Sequence, residues 1–502
     1  MIPVATAAQV RAMDAGAIDG LGVPGIALME SASQALAAAV RDVLEQVGGG
    51  AVLVVCGGGN NGGDGYGAAR WLHAWGNEVA LWSLSDSSGG DAGINRLACD
   101  RLGLPEVEPA EVEELDEYAV IVDAVFGTGL TRTVEGRYAR ALELVNGSRT
   151  PVVAADLPSG LHADTGRVLG VAVEAVCTVT FGAAKPGLFC GSGPALAGDL
   201  VLADLGLGAV AAVDPIAGVP ERSDLRALWP FRASDAHKTT SGHLAVLAGS
   251  TAMAGAAVLC CLGARAVGAG LVTLFVPRGA LPRLGALPPE VMVCVSGEGD
   301  VLQAPALDGP LGRATALVAG PGLGGGHALP GSLASFLRAQ WSQDERPFLA
   351  DADALAAVEE PPRADAARVI TPHPGEAARV LGRTVGEVQA DRFAAVQALS
   401  APGRTALLKG PHTLVATPGR RISVNPTGNP VLATGGTGDV LAGLVGALLA
   451  RGLTGHDAAT LGAWLHGHAA DRLAAVRSEG HGATDVALAL PDAIADLLGE
   501  DA

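Results

Sequence analysis

Short apolar runs alternate with helical patterns along this chain. The runs AVLVVC (51–56), EVALWS (78–83), AVIVDA (119–124) and PVVAAD (151–156) each end at a turn or glycine-rich signal. Between them, apolar residues recur at helical spacing around 64–75, 92–102 and 136–146. Strands so uniformly apolar are buried on both faces. Their alternation with helices predicts a parallel sheet covered on each side. Two helical patterns, 6–18 and 27–47, precede this block as an N-terminal extension.

The theme then repeats. HLAVLAGS (243–250), LVTLFVP (271–277), VMVCVS (291–296), TALVAGP (315–321), FLADA (348–352), RVITP (368–372) and TALLKG (405–410) read as strands. Residues 254–268, 331–340, 374–399, 437–451 and 455–475 read as helices. The segment 206–235 between the blocks carries Gly206, Gly208, Pro215, Gly218, Pro220 and Pro230, and reads as a linker. The 502 residues therefore predict two α/β domains.

Composition narrows the function. Apolar residues make up 49% and charged residues 17%, which supports packed cores and excludes disorder. With 33 Lys+Arg against 52 Asp+Glu, the net charge is −19, so nucleic acid and anionic membranes are not expected partners. Phosphate can still bind locally through backbone N–H groups. The N-terminus lacks a basic segment followed by an apolar core, and no apolar run approaches the roughly 20 residues that span a bilayer. The seven cysteines form no CxxC and mostly sit in apolar runs, as in reduced cytoplasmic proteins. Only three of the 33 basic residues are lysines, namely Lys185, Lys238 and Lys409. In an arginine-dominated chain, each surviving lysine is a candidate for chemistry that needs an ammonium.

In the first block, GGGNNGGDG (57–65) follows a strand and precedes a helix. Such a turn brings backbone N–H groups close to an anion. Its two asparagines and Asp64 add oxygens suited to a hard cation or ribose hydroxyls. It is neither the dinucleotide fingerprint in its usual setting nor a Walker loop, which would end in GK[ST]. DAVFGTGL (123–130) and DLPSG (156–160) sit at later strand ends. Parallel strands gather their C-terminal ends on one edge, so Asp64, Asp123, Asp156 and Ser159 are expected to converge there. TFGAAKPGL (180–188) brings Lys185 after another strand. From type and position, Asp156 and Lys185 are the candidate acid/base pair.

These motifs resemble the NAD(P)HX epimerase family, the YjeF N-terminal domain, over nearly all of residues 1–215. The resemblance implies a Rossmann-like, three-layer α/β/α fold that binds a hydrated dinucleotide and a potassium ion. It implies Asn61, Asp123 and Ser159 as potassium ligands. Asn60, Asn61, Gly62, Gly63 and Asp64 would hold substrate. So would Asp156 and the loop Gly127, Thr128, Gly129, Leu130, Thr131, Arg132 and Thr133.

In the second block, GGTGD (435–439) stands directly before a long apolar helix. Amides of Gly436, Thr437 and Gly438 at that helix N-terminus would stabilise a transferring phosphoryl group. Asp439 in the first turn would act as general base, with the helix dipole keeping it ionised. LLKGPHTLV (407–415) offers Lys409 at a strand exit. TPHPGE (371–376) adds His373 and Glu376, DADAL (351–355) adds acidic groups, and GPGLG (320–324) is a further glycine-rich exit. His466 and His468 lie two apart on a helix and point in different directions, which argues against a metal pair.

The series HKTTSGHLAVLAGS (237–250), GPGLG, DADAL, TPHPGE, LLKG, TGNPVLATGGTGD and LHGHAAD (465–471) resembles the NAD(P)HX dehydratase family across 224–500. HKTTSGH departs from the glycine-richer family form. The resemblance implies a ribokinase-like α/β fold. Ala257, Gly322, His373 and Asp439 would bind the hydrated nicotinamide nucleotide. Lys409, Gly410, Pro411, His412, Thr413, Asn429, Thr434, Gly435, Gly436, Thr437 and Gly438 would hold the adenine nucleotide. The fused arrangement resembles the bacterial form, which implies ADP as phosphoryl donor together with Mg²⁺. The expected activity is epimerisation of R- and S-NAD(P)HX, followed by ADP-dependent dehydration of the S form to NAD(P)H. The expected partners are NADHX, NADPHX and ADP, and the apolar N-terminal helices favour a homo-oligomer. The alternative is an ATP-dependent small-molecule kinase fused to a dinucleotide-binding regulatory domain.

Overall fold

The computed structural model describes residues 1–85, 89–206, 213–235, 237–238, 241–306, 309–324, 328–358 and 365–499. Thr239 and Thr240 of the HKTTSGH motif, part of the 206–235 segment and part of the block's last residues fall outside them. The chain divides into two compact units, Ile2–Ala217 and Gly218–Ala502, with Met1 assigned to the second.

The first unit holds a six-stranded sheet. Its strands are β1 (Val52–Cys56), β2 (Val79–Ser83), β3 (Val120–Ala124), β4 (Val152–Ala155), β5 (Cys177–Phe181) and β6 (Asp199–Ala203). The order is β2-β1-β3-β4-β5-β6, and every neighbouring pair is parallel. Alternate residues of β1 enter separate cores. Val52, Val54 and Cys56 pack with the helices α2 (Gly25–Val47) and α3 (Asn60–Ala74), whereas Leu53 and Val55 pack with α5 (Gly136–Gly147). That is the three-layer arrangement. Helices α1 (Ala7–Ala15) and α4 (Gly90–Leu102) complete the elements used below. The chain passes from β1 to β2 on one side, then back across to β3. Between β1 and β3 the sheet therefore has a switch point, where open α/β sheets bind ligands.

The second unit's sheet contains β7 (His243–Leu247), β8 (Leu271–Val276), β9 (Met292–Val295), β10 (Ala316–Ala319), β11 (Phe348–Ala350), β12 (Arg368–Ile370), β13 (Arg404–Leu408), β14 (Leu414–Ala416) and β15 (Ile422–Val424). Along the sheet they run β15-β14-β13-β12-β11-β10-β7-β8-β9. Pairing is parallel from β13 to β9 and antiparallel for β13-β14-β15. The switch point lies between β7 and β10. Helices α6 (Ala254–Ala266), α9 (Thr437–Ala450), α10 (Gly455–Val476) and α11 (Ala483–Leu498) share one core with the sheet. On other elements, α7 (Gly331–Gln343) lays Trp341 edge-on against Phe348, and α8 (Pro374–Leu381) follows β12.

Three expectations need correction. The 374–399 pattern is not one helix but three, Pro374–Leu381, Val385–Ala390 and Arg392–Leu399. Gly382 ends the first in the left-handed conformation (φ 63°), and Thr384 and Asp391 cap the next two. The 206–235 segment is more than a linker, since Ala217–Val219 is a buried strand and Arg222–Leu228 a helix. The asparagines and glycines of 60–65 form the first turns of α3 rather than a loop. Those glycines serve close approach. A Cβ on Gly62 would collide with the Gly57 carbonyl, and one on Gly65 would lie 2.5 Å from the Ala124 Cβ.

Candidate active sites

The first site lies at the β1/β3 switch point. A cavity of about 680 Å³ opens there, lined among others by Asn60, Asn61, Asp64, Gly127, Thr128, Gly129, Leu130, Thr131, Arg132, Asp156 and Lys185. Most of the residues proposed to hold substrate thus meet in one cavity. Gly62 and Gly63 are buried in α3, and Thr133 follows the lining stretch.

Asp123 at the end of β3 and Ser159, which are not among the lining residues, form one buried unit. The Ser159 hydroxyl donates to Asp123 Oδ1 at 2.6 Å, and the Ser159 amide donates to Oδ2 at 2.7 Å. The Phe126 amide donates to the Ser159 hydroxyl oxygen at 2.7 Å. Burial pushes the Asp123 carboxyl up to about 6 against these hydrogen bonds, so it is ionised at neutral pH. Besides burial, the groups that act on it are the Ser159 hydroxyl and amide and the Val125 amide. Asn61 has a buried amide nitrogen without a partner, and its Oδ1 would lie 3.0 Å from a Cβ built on Gly127. A buried carboxylate and hydroxyl at the end of β3, with an amide oxygen at the Gly127 turn, are hard oxygen donors of the kind that fit a monovalent cation.

Asp156 and Lys185 are paired through Asp156 Oδ1. Lys185 is fully buried and also donates to Thr180 Oγ1 and the Phe181 carbonyl, each at 3.0 Å. The Asp156 backbone stands at φ 67°, a conformation that non-glycine residues adopt at a cost. The Thr128 amide donates to its Oδ2 at 3.3 Å, which ties the 127–133 loop to the pair.

The second site gathers at strand ends β10 to β13. Lys409 Nζ lies 2.9 Å from Asp351 Oδ1 and 3.7 Å from Glu376 Oε2. A Cβ on Gly438 would lie 3.4 Å from the same nitrogen, so the ammonium stands beside the first turn of α9. Burial opposes the charge of Lys409, but Asp351, Glu376 and Asp439 outweigh it and raise its pKa. Asp439 occupies that first turn. Its carboxyl is pushed up to about 7 by burial, then by Asp351, while Lys409 opposes the rise. The carboxyl is therefore only partly ionised at neutral pH, where the sequence suggested a fully ionised base. Desolvation and neighbouring carboxylates leave the group poised near neutrality, where a general base works best.

The other proposed contacts differ in character. Gly436 caps α9 at φ 95°, and Thr437 donates its hydroxyl to Leu432 and Thr434 carbonyls. Thr434 and Gly435 are exposed. Asn429 uses its own oxygen to cap Val431 and donates to Asp471 at 2.8 Å. The stretch Lys409 to Thr413 bends through His412 at φ 46°. Gly322 takes φ 64° at the β10 exit, and half-exposed His373 caps α8. Ala257 is fully buried in α6 and offers no side chain to a ligand. His466 is buried, whereas His468 stacks on Trp464 with centroids 4.6 Å apart, so the two point apart as expected. Among the described residues, no group of three His, Cys, Asp or Glu could hold a metal ion.

Two family models match the chain. One, described as YjeF-related protein N-terminus, covers residues 25–187, and the other, NAD(P)H-hydrate dehydratase, covers 244–492. A bifunctional NAD(P)H-hydrate repair enzyme of Moorella thermoacetica is 36% identical over 94% of this chain and 93% of its own. One from Thermofilum pendens is 36% identical over 97% and 94%. The chain belongs to the bifunctional NAD(P)H-hydrate repair enzymes. It is an enzyme with an epimerase half and a dehydratase half. Among solved structures, the Bacillus subtilis ADP/ATP-dependent NAD(P)H-hydrate dehydratase co-crystallised with ATP and Mg²⁺ is 29% identical. It covers 56% of this chain and 99% of its own, at a TM-score of 0.47.

Sequence reading missed several residues of these sites. Arg11 and Asp14 of α1 line the cavity. Their helical spacing with Val10 was visible, but the extension carried no motif. Arg392 is buried and donates to the carbonyls of Leu408 and Lys409, each at 3.3 Å, and to that of Pro411. It shapes the Lys409 turn from 17 residues away.

Proposed function

We propose that residues 1–215 interconvert the C6 epimers of hydrated NADH and NADPH, and that 224–500 dehydrate the S epimer with ADP. The observation that carries the dehydratase assignment is Asp439, poised near pH 7 beside Lys409 at the N-terminus of α9. Asp439 takes the proton of the C6 hydroxyl as its oxygen attacks the β-phosphorus of ADP. AMP leaves with the electron pair of the broken P–O bond. Loss of the C5 proton then forms the C5–C6 double bond as the C6–O bond breaks, releasing phosphate. Lys409 and the amides of Gly436, Thr437 and Gly438 stabilise the charge on the transferring group. The loops 409–413 and 429–438 hold the nucleotide, and Gly322 and His373 border the hydrated ring, with Ala257 packed behind them in α6. Mg²⁺ would neutralise the diphosphate, held by the phosphates more than by protein ligands.

In the epimerase half, Asn60 to Asp64, Gly127 to Thr133 and Asp156 hold the dinucleotide. Asp156 and Lys185 exchange protons with it. Asn61, Asp123 and Ser159 fit K⁺, which when bound supplies a fixed positive charge beside the substrate. The free cysteines and acidic surface suit the cytoplasm, and the chain works as a homo-oligomer. No helix among the described residues is long and apolar enough to cross a membrane.

The test is repair of a mixture of both NADHX epimers, followed by recovery of dihydronicotinamide absorbance with ADP, ATP or neither. Full recovery with ADP is expected. Recovery of the S form alone would remove the epimerase assignment. A phosphorylated product that persists with ATP would instead favour a kinase.

A further inference from the structure

Inverting C6 of the hydrate needs two proton carriers. C6 bears a hydroxyl and is bonded to the ring nitrogen N1. When the hydroxyl loses its proton, the C6–N1 bond can break, and C6 becomes a planar carbonyl carbon. The electron pair goes to N1, which takes up a proton. Rotation about C5–C6 presents the other carbonyl face. Closure then reverses each step, with the acid and base roles exchanged. No oxidant or co-reactant is consumed. The Asp156–Lys185 pair supplies one carrier, which leaves the second to be found.

We propose that Asp14 is the second proton carrier of the epimerase site, acting in the cavity it lines together with Asp156 and Lys185. This rests on the reading of that cavity as the epimerase site. Three observations favour Asp14. It lines the cavity with Asp64, Asp156 and Lys185. It is close enough to both Asp156 and Lys185 to feel their charges. It arrives on α1, an element separate from the sheet edge that carries the other groups. Of the other carboxyls that line the cavity, Asp64 is buried within α3 and Asp91 sits in the first turn of α4 against Gly25, whereas Asp14 is partly exposed and feels the charges of both Asp156 and Lys185. Burial raises the pKa of Asp14, with Lys185 opposing and Asp156 adding to the rise, which makes it a better proton acceptor than an ordinary surface carboxylate. The sequence match to the N-terminal family model begins at residue 25, after Asp14.

The experiment uses the full chain with purified R- and S-NADHX. Epimer exchange is followed without ADP, and S-NADHX dehydration with ADP, after subtraction of spontaneous exchange. For Asp14→Asn, exchange is expected to fall about 100-fold or more while S-epimer dehydration is unchanged. Asp14→Glu is expected to retain exchange within about tenfold of the wild type. Exchange at the wild-type rate in Asp14→Asn overturns the proposal. Asp156→Asn separates this from failure of the underlying reading. If Asp156→Asn loses exchange while Asp14→Asn keeps it, only the role of Asp14 falls. If neither changes exchange, the cavity is not the epimerase site. Should Asp14→Asn fail to fold, Asp14→Glu and Asp14→Ser decide. Exchange retained only by Glu upholds the proposal, and equal exchange in both overturns it.

Discussion

The ammonium nitrogen of Lys409 lies 2.9 Å from Oδ1 of Asp351, and the same oxygen accepts the Thr371 hydroxyl at 2.8 Å. The lysine is thus fixed at the ends of β11, β12 and β13, where it meets the first turn of α9. It has two effects there: it offers positive charge to a transferring phosphoryl group, and it holds down the pKa of Asp439. Lys409→Met is therefore expected to cut dehydration by about 10²–10³-fold while epimer exchange continues. The residual dehydration should also move to higher pH, because Asp439 loses the cation that favours its ionised form. Rate against pH for both activities checks this. A residual profile with an unchanged limb would count against the Lys409–Asp439 coupling.

The Asp123–Ser159 unit gives a second expectation. Ser159→Ala removes the 2.6 Å hydrogen bond to a buried carboxylate and one oxygen of the proposed cation site. A stability loss of about 1–3 kcal/mol is expected, since the acceptor stays buried and charged. An ion that binds only the folded state raises the unfolding temperature. K⁺ should therefore stabilise the wild type over an equal concentration of a bulky organic cation. In Ser159→Ala that difference should shrink. Thermal unfolding in the two salts, with epimer exchange beside it, measures both effects.

Much of this was legible because the chemistry sits where short motifs end parallel strands. The exits after β1, β3 and β4 could be read from GNNGGDG, DAVFGTGL and DLPSG, and the sheet edge brings them together. What could not be read depends on long-range packing. Arg392 has no motif of its own and acts through carbonyls of another segment. Asp14 joins its partners only because α1 folds over the cavity. The raised pKa of Asp439 depends on Asp351, 88 residues before it in sequence but close in the fold. The broken 374–399 helix was misread for a local reason. Apolar periodicity continues through Gly382, while the caps that divide the helix are set by backbone conformation and hydrogen bonding.

Close packing beneath the first site is equally specific. Gly65→Ala would place a Cβ 2.5 Å from the Ala124 Cβ and 3.0 Å from Cys56 Sγ. Neither β1 nor β3 can yield without disturbing the sheet, so α3 must move outward. Overpacking of this kind costs about 1–3 kcal/mol. The same shift carries Asn60 and Asn61 away from the 127–133 loop. Loss of exchange is expected to exceed what the stability change explains, with dehydration retained. Urea unfolding and the two activities, measured on one preparation, separate these effects.

Asp439 is expected to show opposite effects on stability and catalysis. Its carboxyl lies near the ordinary value of 3.8 when unfolded and near 7 when folded. A raised folded pKa favours the folded state while the group keeps its proton, and that advantage is lost as pH rises towards 7. At pH 8 the folded protein therefore bears the cost of an ionised carboxylate beside Asp351 and Glu376. Asp439→Asn removes that cost. It is expected to stabilise the second unit by about 2 kcal/mol at pH 8, partial exposure having been allowed for, and to change little near pH 4. The same substitution removes the base, so dehydration should fall about 10²–10⁴-fold. In the wild type, dehydration should rise with pH up to about 7, because only the ionised form accepts the hydroxyl proton. Urea unfolding at the two pH values and a pH–rate profile test the argument together. Destabilisation of Asp439→Asn at pH 8 would mean that the carboxylate makes favourable contacts that outweigh its burial.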